Sequence, residues 1–120
     1  MTDSQWMNQL FAAIDGKDAD AFVGFLTENA VFAFGNTQPV SGRAAIRELL
    51  LGFFASIRAL RHEVTDSWRL PEVAVAIGQV TYTRLDGSSL SVPFADVFKM
   101  RQGLVSEYLI YVDASRLYAP

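Results

Sequence analysis

Four strand-like segments fill the second half of the chain, and the short turns between them leave few ways to fold it. Asp86-Gly87 separates the second segment from the third, and Asp-Gly between two strand-like segments is a strong β-hairpin signal. The turns at 69–72 and 101–103 contain Pro71 and Gly103, which favour chain reversal. We therefore predict four consecutive antiparallel strands, at 58–68, 73–85, 88–101 and 104–113.

Helical patterns come before these strands. Thr2 and Gln5 match a capping box that opens a first helix, and Gly16 is suited to end it. Asp18 can cap a short second helix. Its predicted apolar residues are Phe22, Phe25 and Leu26.

A third helix has the clearest periodicity in the chain. Ser41 is its predicted N-cap, and apolar residues recur at helical spacing. They are Ile46, Leu49, Leu50, Phe53, Phe54 and Ile57. A short strand at 30–35 and a brief return at Val40 precede this helix. Helices followed by an antiparallel meander predict an α+β fold, with the helices packed on one face of the sheet.

Composition narrows the class of protein. The 120 residues predict a single domain, 1–120, and 51% hydrophobic residues are enough for a core. The absence of cysteine and the single histidine argue against a metal site, and no cofactor motif is present. A net charge of −3 without a basic cluster argues against nucleic-acid binding. No signal peptide or membrane span is predicted, so we expect a cytoplasmic protein.

The turns also predict which side chains share a face of the sheet, because strand pairing fixes the faces. A two-residue loop at 86–87 pairs Thr81 with Val92, and a four-residue loop at 69–72 places His62 opposite Gln79. A three-residue loop at 101–103 places Asp96 opposite Tyr108. The face turned toward the helices is then mostly apolar. Its predicted residues are Leu60, His62, Val64, Trp68, Ile77, Gln79, Thr81, Val92, Phe94, Asp96, Phe98, Tyr108, Ile110 and Val112.

Three polar residues on this face are candidate catalytic groups. Asp96 lies between two phenylalanines, and burial of its carboxyl raises the pKa toward the range useful for acid–base catalysis. Histidine is the side chain whose unperturbed pKa lies near 7, which makes His62 a candidate, and Tyr108 can donate to a ligand oxygen. Purely structural roles are the alternative, with Asp96 bonded to Tyr108 and His62 bonded to Gln79 or a backbone carbonyl.

The remaining predicted site residues form the wall of a ligand cavity. They are Trp6, Phe22, Phe32, Phe34, Phe53, Trp68, Gln79, Thr81, Phe94 and Ile110. An apolar pocket with a few convergent polar groups is typical of a small-molecule site. The opposite face is predicted to carry small and aromatic residues that favour a homodimer. These are Ala74, Ala76, Gly78, Val80, Tyr82, Leu109 and Tyr111.

Four segments of the chain resemble the NTF2-like superfamily in its SnoaL-like branch. They are GKDADAFVGFLTENAVF (16–32), SGRAAIREL (41–49), LRHEV (60–64) and FADVFKM with GLVSEY (94–108). The resemblance implies a cone-shaped α+β barrel, with three N-terminal helices packed on a curved, mainly antiparallel sheet around a deep apolar pocket. It also implies that the protein is commonly dimeric.

Asp96 is the one residue that matches a catalytic residue in each of three enzyme types of this superfamily. It matches the acid/base aspartate of SnoaL-type cyclases and the protonated oxyanion-hole aspartate of ketosteroid isomerases. The isomerase base falls near Phe34 and the isomerase tyrosine near Gln9, so both groups are missing here. Only Asp96 remains of the Asp-Arg-Asp set of limonene-epoxide-hydrolase-like enzymes, whose other places hold Phe94 and Ile110.

Three functions are consistent with these patterns. The first is a cofactor-independent isomerase, cyclase or lyase that acts on a small apolar carbonyl compound, with Asp96 as the proton-transfer residue. The second is a non-catalytic binding protein for an apolar ligand. The third is a dimeric interaction module with a filled pocket. The patterns leave open whether the protein is an enzyme.

Overall fold

The computed structural model describes residues 3–118, and the side chains of residues 5–118. Three helices pack on one face of a curved, unclosed sheet with the strand order β2-β1-β6-β5-β4-β3. Strands β1 and β6 are parallel, and the other neighbours are antiparallel. The predicted α+β arrangement is confirmed. The elements are α1 (Asp3–Asp15), α2 (Ala19–Val23), β1 (Leu26–Phe34), β2 (Val40–Ser41), α3 (Arg43–Ala55), β3 (Ala59–Arg69), β4 (Val73–Thr83), β5 (Ser89–Arg101) and β6 (Leu104–Val112).

The ends of the first two helices follow the sequence signals. Helix α1 ends immediately before Gly16, and the Asp18 carboxylate accepts a hydrogen bond of 3.0 Å from the backbone N–H of Ala21 at the start of α2. The predicted capping box depends on Thr2, which lies outside the described residues. Helix α2 is shorter than predicted because Leu26 already belongs to β1.

Helix α3 packs on the sheet through Ile46, Leu50 and Phe54, which are buried at the predicted spacing. The N-cap is Gly42, and its φ of 93° is readily adopted only by glycine. The predicted Ser41 cap was therefore wrong, since Ser41 pairs with β1 as part of β2. A strand pair thus ends where the helix begins.

The hairpin between β4 and β5 differs from its prediction in loop length. Arg84 N–H donates to the Ser88 carbonyl at 2.7 Å, and Gly87 has a φ of 91°. These values describe a three-residue loop that ends in a left-handed glycine, rather than a two-residue loop. The difference moves the register by one residue, so Thr81 pairs with Ser91. Every side chain of β4 therefore lies on the face opposite to the predicted one.

The hairpin between β5 and β6 has a two-residue loop, Gln102-Gly103, with φ values of 53° and 81°. A bulge follows at Lys99/Met100, and Asp96 then pairs with Ile110 rather than with Tyr108. The register differs from the predicted one by two residues. A shift of two preserves the faces, so Tyr108 and Ile110 stay on the helix side as predicted.

Strand β3 contains a second bulge, between Val64 and Asp66. Beyond it the side-chain alternation is reversed, so Trp68 lies on the outer face and is 54% exposed. Before the bulge, His62 keeps the predicted helix-facing side but pairs with Val80 rather than with Gln79. Gly78 of β4 lies opposite Val64, next to the bulge.

The outer face of the sheet has a different composition from the predicted one. Its residues form two adjacent cross-strand rows, with Trp68, Val75, Val97 and Leu109 in one row and Asp66, Ile77, Ala95 and Tyr111 in the other. Leu109 and Tyr111 were predicted on this face. The five β4 residues placed there were wrong, because Ala74, Ala76, Gly78, Val80 and Tyr82 face the helices.

Candidate functional site

A cavity of about 720 Å³ opens between the helix-facing side of the sheet and helix α3. The loop at 35–38 and the segment at 113–118 form its rim. The wall is built mainly from aromatic and aliphatic side chains, as expected of a small-molecule site. It includes Ile14, Phe22, Phe32, Phe34, Leu50, Phe53, Phe54, Leu60, Val80, Tyr82, Phe94, Tyr108, Ile110 and Val112.

Ring contacts between neighbouring elements fix the aromatic part of this wall. Phe53 of α3 lies 5.7 Å from Phe34 of β1 and 6.0 Å from Tyr82 of β4, between ring centroids. Phe32 lies edge-on to Tyr108 at 5.6 Å. Such edge and tilted contacts are the favoured geometries of aromatic pairs. The wall is thus supported independently of any ligand.

The predicted ligand-binding residues fall into two groups. Six of them line the cavity: Phe22, Phe32, Phe34, Phe53, Phe94 and Ile110. Four do not line it: Trp6, Trp68, Gln79 and Thr81. Trp6 packs edge-on against Phe98 at 5.5 Å, away from the cavity. Trp68, Gln79 and Thr81 lie on the outer face because of the register differences in β3 and β4, and Thr81 bonds Ser91 there at 2.7 Å.

The predicted catalytic Asp96 lies directly behind the cavity wall. Its side chain is completely buried, between Ala76 and Ile110 on the neighbouring strands. The Tyr108 hydroxyl donates a hydrogen bond of 2.7 Å to its Oδ2, and the Tyr108 side chain lines the cavity. Asp96 Oδ1 has no hydrogen-bond partner among the described residues. A buried carboxyl with one unpaired oxygen is costly, so its retention points to a role other than stability.

Burial raises the pKa of Asp96 to about 7, because the charged form loses its hydration. The hydrogen bond from Tyr108 and the charge of His62 act in the opposite direction and only partly offset this effect. Burial also raises the pKa of Tyr108 well above its usual value, so its hydroxyl keeps its proton. Near neutral pH this pair therefore carries one readily dissociable proton, on Asp96.

Tyr108→Phe is expected to raise the pKa of Asp96 further, since it removes the one hydrogen bond that stabilises the carboxylate. The added cost in unfolding free energy is about 1–3 kcal/mol at pH 8, where wild-type Asp96 is ionised. It is smaller at pH 5, where the carboxyl is protonated. Urea unfolding at both pH values measures the difference, and Tyr111→Phe on the exposed outer face is the control. An equal cost at both pH values would contradict this account.

His62 also lines the cavity, and it has a partner that the sequence did not reveal. Its Nδ1 lies 2.6 Å from Asp15 Oδ1, and its backbone N–H donates to Asp15 Oδ2 at 2.9 Å. The imidazole also packs against Phe11 and Phe94, with ring centroids 4.8 and 5.1 Å away. Asp15 lies 47 positions away in sequence, so no local pattern could have identified this pair.

The rim of the cavity contains residues that were not predicted as site residues. Glu48 and Asp113 contribute carboxylates, and no lysine or arginine lines the cavity within the described part of the chain. The segment at 113–118 is attached to the sheet by Arg84, which donates to the Leu117 carbonyl at 2.8 Å and the Arg116 carbonyl at 3.0 Å. Tyr118 and Ser56 bond through their hydroxyls at 2.6 Å.

Across 3–118, no three His, Asp or Glu side chains converge so that they could hold a metal ion. In the same range, no helix combines the length and the apolar character that crossing a bilayer requires.

Comparison with known proteins shows the family. Residues 7–108 match the SnoaL-like domain, so the chain belongs to this family. The fold is NTF2-like. Among curated proteins, none matches this chain in sequence.

Several solved structures share the fold at low sequence identity. An NTF2-like protein of unknown function from Burkholderia pseudomallei K96243 superposes with a TM-score of 0.86 and 14% identity, covering 98% of this chain and 95% of its own. A candidate polyketide cyclase from Pseudomonas putida KT2440 superposes with a TM-score of 0.81 and 18% identity. The match covers 96% of this chain and 94% of the cyclase chain. A third structure is a hypothetical protein with a ketosteroid isomerase-like fold from Catenulispora acidiphila DSM 44928, in complex with trimethylamine. It superposes with a TM-score of 0.83 and 15% identity, covering 92% of this chain and 86% of its own.

Proposed function

We propose that the cavity binds an uncharged, mostly apolar molecule that carries a carbonyl group, and that the protein catalyses a proton transfer on it. The reaction is of the isomerase, cyclase or lyase type and needs no cofactor. The observation that carries this proposal is the buried Asp96 carboxyl, with a pKa of about 7, bonded to a tyrosine of the cavity wall. Perturbed carboxyls next to a cavity are typical of catalytic sites.

The charges around the cavity argue against an anionic ligand. Glu48 and Asp113 at the rim are acidic, while no described lysine or arginine faces the cavity to bind an anion. The aromatic wall favours a ring-containing apolar body. The fold neighbours named as polyketide cyclases support a carbonyl-bearing substrate of this kind.

Asp96 and Tyr108 can present a proton to a ligand oxygen in a pH-dependent way. When Asp96 is protonated, it can donate to the Tyr108 oxygen, which frees the Tyr108 O–H to donate to a carbonyl in the cavity. When Asp96 is ionised, it accepts the Tyr108 proton and the donor is lost. Tyr108 is then the catalytic residue that contacts the ligand, and the protonation state of Asp96 decides whether the Tyr108 O–H is available to it. This donor stabilises the negative charge that develops on the carbonyl oxygen.

Deuterium exchange of a model ketone tests this proposal. The probe is 2-tetralone in D₂O, whose α-protons exchange when a base removes them while a donor stabilises the enolate oxygen. Asp96→Asn is expected to remove the decline of the wild-type exchange rate above pH 7, because its amide NH₂ can donate to the Tyr108 oxygen but does not ionise.

Asp86→Asn serves as the matched control, because Asp86 is exposed in the β4–β5 turn and bonds only its neighbour Ser88. This variant should keep the wild-type rate. An Asp96→Asn variant that keeps the wild-type decline in exchange rate above pH 7 would exclude Asp96 from the reaction.

A non-catalytic binding protein is the second candidate, and Phe34 is the observation that favours it. The resemblance to ketosteroid isomerases places their base near this position, and here the phenylalanine ring packs against Phe53 in the cavity wall. Native mass spectrometry of freshly purified protein separates the candidates. A bound molecule recovered unchanged after incubation supports binding alone. A third function, an interaction module with a filled pocket, fits poorly with an open cavity of about 720 Å³.

The outer face of the sheet is the surface we propose for a homodimer. Its row of Trp68, Val75, Val97 and Leu109 crosses four strands, and Tyr111 beside it is 60% exposed. Exposed apolar patches of this kind commonly mark interfaces. The same native mass spectrum reports the oligomeric state, and a wild type that is only monomeric would reject the proposal. Cytoplasmic localisation stays a prediction from the sequence.

A further inference from the structure

The contact between Asp15 and His62 joins the end of α1 to the cavity wall, and both carboxylate oxygens take part in it. Oδ2 accepts the backbone N–H of His62 at 2.9 Å, and Oδ1 lies 2.6 Å from Nδ1. The two bonds fix the imidazole relative to its own strand. Phe11 and Phe94 pack against the ring and further restrict its rotation.

The position of Asp15 indicates that helix stability is not the reason for its presence. It is the last residue of α1, where the helix dipole disfavours a negative charge. It is also only partly exposed, with 24% of its side chain accessible. The bonds to His62 compensate for this unfavourable location.

We infer that Asp15 is a positioning residue that keeps the proton of neutral His62 on Nδ1, so that Nε2 presents a proton acceptor to the cavity. An ionised carboxylate only accepts hydrogen bonds, so the imidazole nitrogen facing it must carry the proton. The other nitrogen then has a free lone pair. His62 lines the cavity, and Nδ1 is already engaged. Nε2 is therefore the ring nitrogen left for a ligand.

This inference rests on the proposed function and assigns separate roles to His62 and Tyr108 in it. His62 Nε2 removes a proton from the carbon next to the ligand carbonyl. The electron pair of that C–H bond forms a C=C bond, and the carbonyl π pair moves onto the oxygen, which accepts a hydrogen bond from Tyr108. The imidazolium then returns the proton to carbon. The ligand class is thus narrowed to neutral compounds with an acidic C–H or O–H group.

The tautomer of His62 can be measured directly, because it is the only histidine in the chain. Long-range ¹H–¹⁵N correlation spectra of the full-length wild type, at a pH where the ring is neutral, distinguish the protonated from the unprotonated nitrogen. We expect the proton on Nδ1. A proton on Nε2 in the wild type would overturn the inference, and this measurement requires neither a variant nor a ligand.

Asp15→Asn is expected to invert the tautomer. The backbone N–H of His62 can only donate, so the amide oxygen must face it, and the amide NH₂ then faces Nδ1 and donates to it. The imidazole proton moves to Nε2, as happens when asparagine replaces the aspartate of a Ser-His-Asp triad. Asp20→Asn is the matched control, since Asp20 is exposed and pairs with Arg47 instead. An unchanged tautomer in a folded Asp15→Asn variant would contradict the inference.

Two probes test whether Nε2 faces the cavity. Binding of 2-naphthol, whose hydroxyl can donate, should shift the Nε2 resonance of the wild type, whereas naphthalene should not. At saturation, 2-naphthol without this shift would show that Nε2 does not serve the cavity. If neither probe binds by fluorescence, the proposed binding of apolar molecules fails, while the tautomer result still decides the role of Asp15.

Discussion

Asp96→Asn is expected to be about 2 kcal/mol more stable than the wild type at pH 8, and close to it at pH 5. Burial raises the pKa of Asp96 from 3.8 to about 7, so the folded state holds a proton that the unfolded state releases. At roughly 1.4 kcal/mol per pKa unit, wild-type stability is already lowered by about 1.6 kcal/mol at pH 5 and falls by about 2.5 kcal/mol more between pH 5 and pH 8. The variant lacks both losses, but the unpaired part of its amide costs about 1–3 kcal/mol, which offsets the first loss and leaves the second.

The direction in which stability changes with pH distinguishes Asp96 from the other carboxyls whose pKa values are shifted. A raised pKa in the folded state gives stability that is present at low pH and lost as the pH rises through 7. Asp20, Asp86 and Asp113 have pKa values lowered mainly by hydrogen bonds, so their contribution is present above pH 4 and lost in acid. Urea unfolding of the wild type and of Asp96→Asn between pH 5 and 8 therefore isolates Asp96, because every other titratable group, including His62, is common to both. A stability difference between the two proteins that is constant over this range would refute a raised pKa.

Gly78→Ala is expected to cost about 3 kcal/mol or more in unfolding free energy. A Cβ at this position would lie 1.9 Å from the backbone oxygen of Glu63 and 3.0 Å from Val64 Cα. These are backbone atoms next to the β3 bulge, so relief requires the edge strand β3 to move away from β4. Overpacking normally costs about 1–3 kcal/mol, and an overlap with backbone exceeds the usual case.

Gly52→Ala is the matched control for this variant. Gly52 lies within α3, and a Cβ there meets no atom within 4 Å. Alanine should stabilise the helix by about 0.5–1 kcal/mol. Urea unfolding of both variants measures the contrast. A loss below about 1 kcal/mol for Gly78→Ala would mean that the backbone of β3 does not pack tightly against Gly78 at the bulge.

The sequence predicted the elements of this fold better than the faces of its strands. Helix periodicity and turn residues located all nine elements of residues 3–118, because they are local signals. The face of β4 depended on whether the Asp86-Gly87 loop has two residues or three, and one residue reversed every side chain of that strand. Tyr82 was therefore missed as a cavity residue, and Gln79 and Thr81 were placed in the cavity wrongly.

Of the polar contacts at the site, one was predicted from the sequence and the other was not. Asp96 and Tyr108 were predicted to be neighbours, and they are hydrogen-bonded, although their backbone register differs from the predicted one. For a purely structural His62, the expected partner was Gln79 or a backbone carbonyl, and the observed partner is Asp15. That contact depends on how α1 lies across the sheet, which is a property of the packed fold and not of any sequence interval.

The parallel pairing of β1 with β6 has a consequence for the order in which this protein folds. Phe32 of β1 pairs beside Tyr108 of β6, so the two neighbours are separated by most of the chain. On a ribosome, which makes the N-terminal residues first, β1 must wait until β6 has been synthesised. Long-range pairings of this kind slow folding and expose unpaired strand edges. Strand β1, with its aromatic residues still exposed, is therefore the segment most prone to aggregate before synthesis reaches β6.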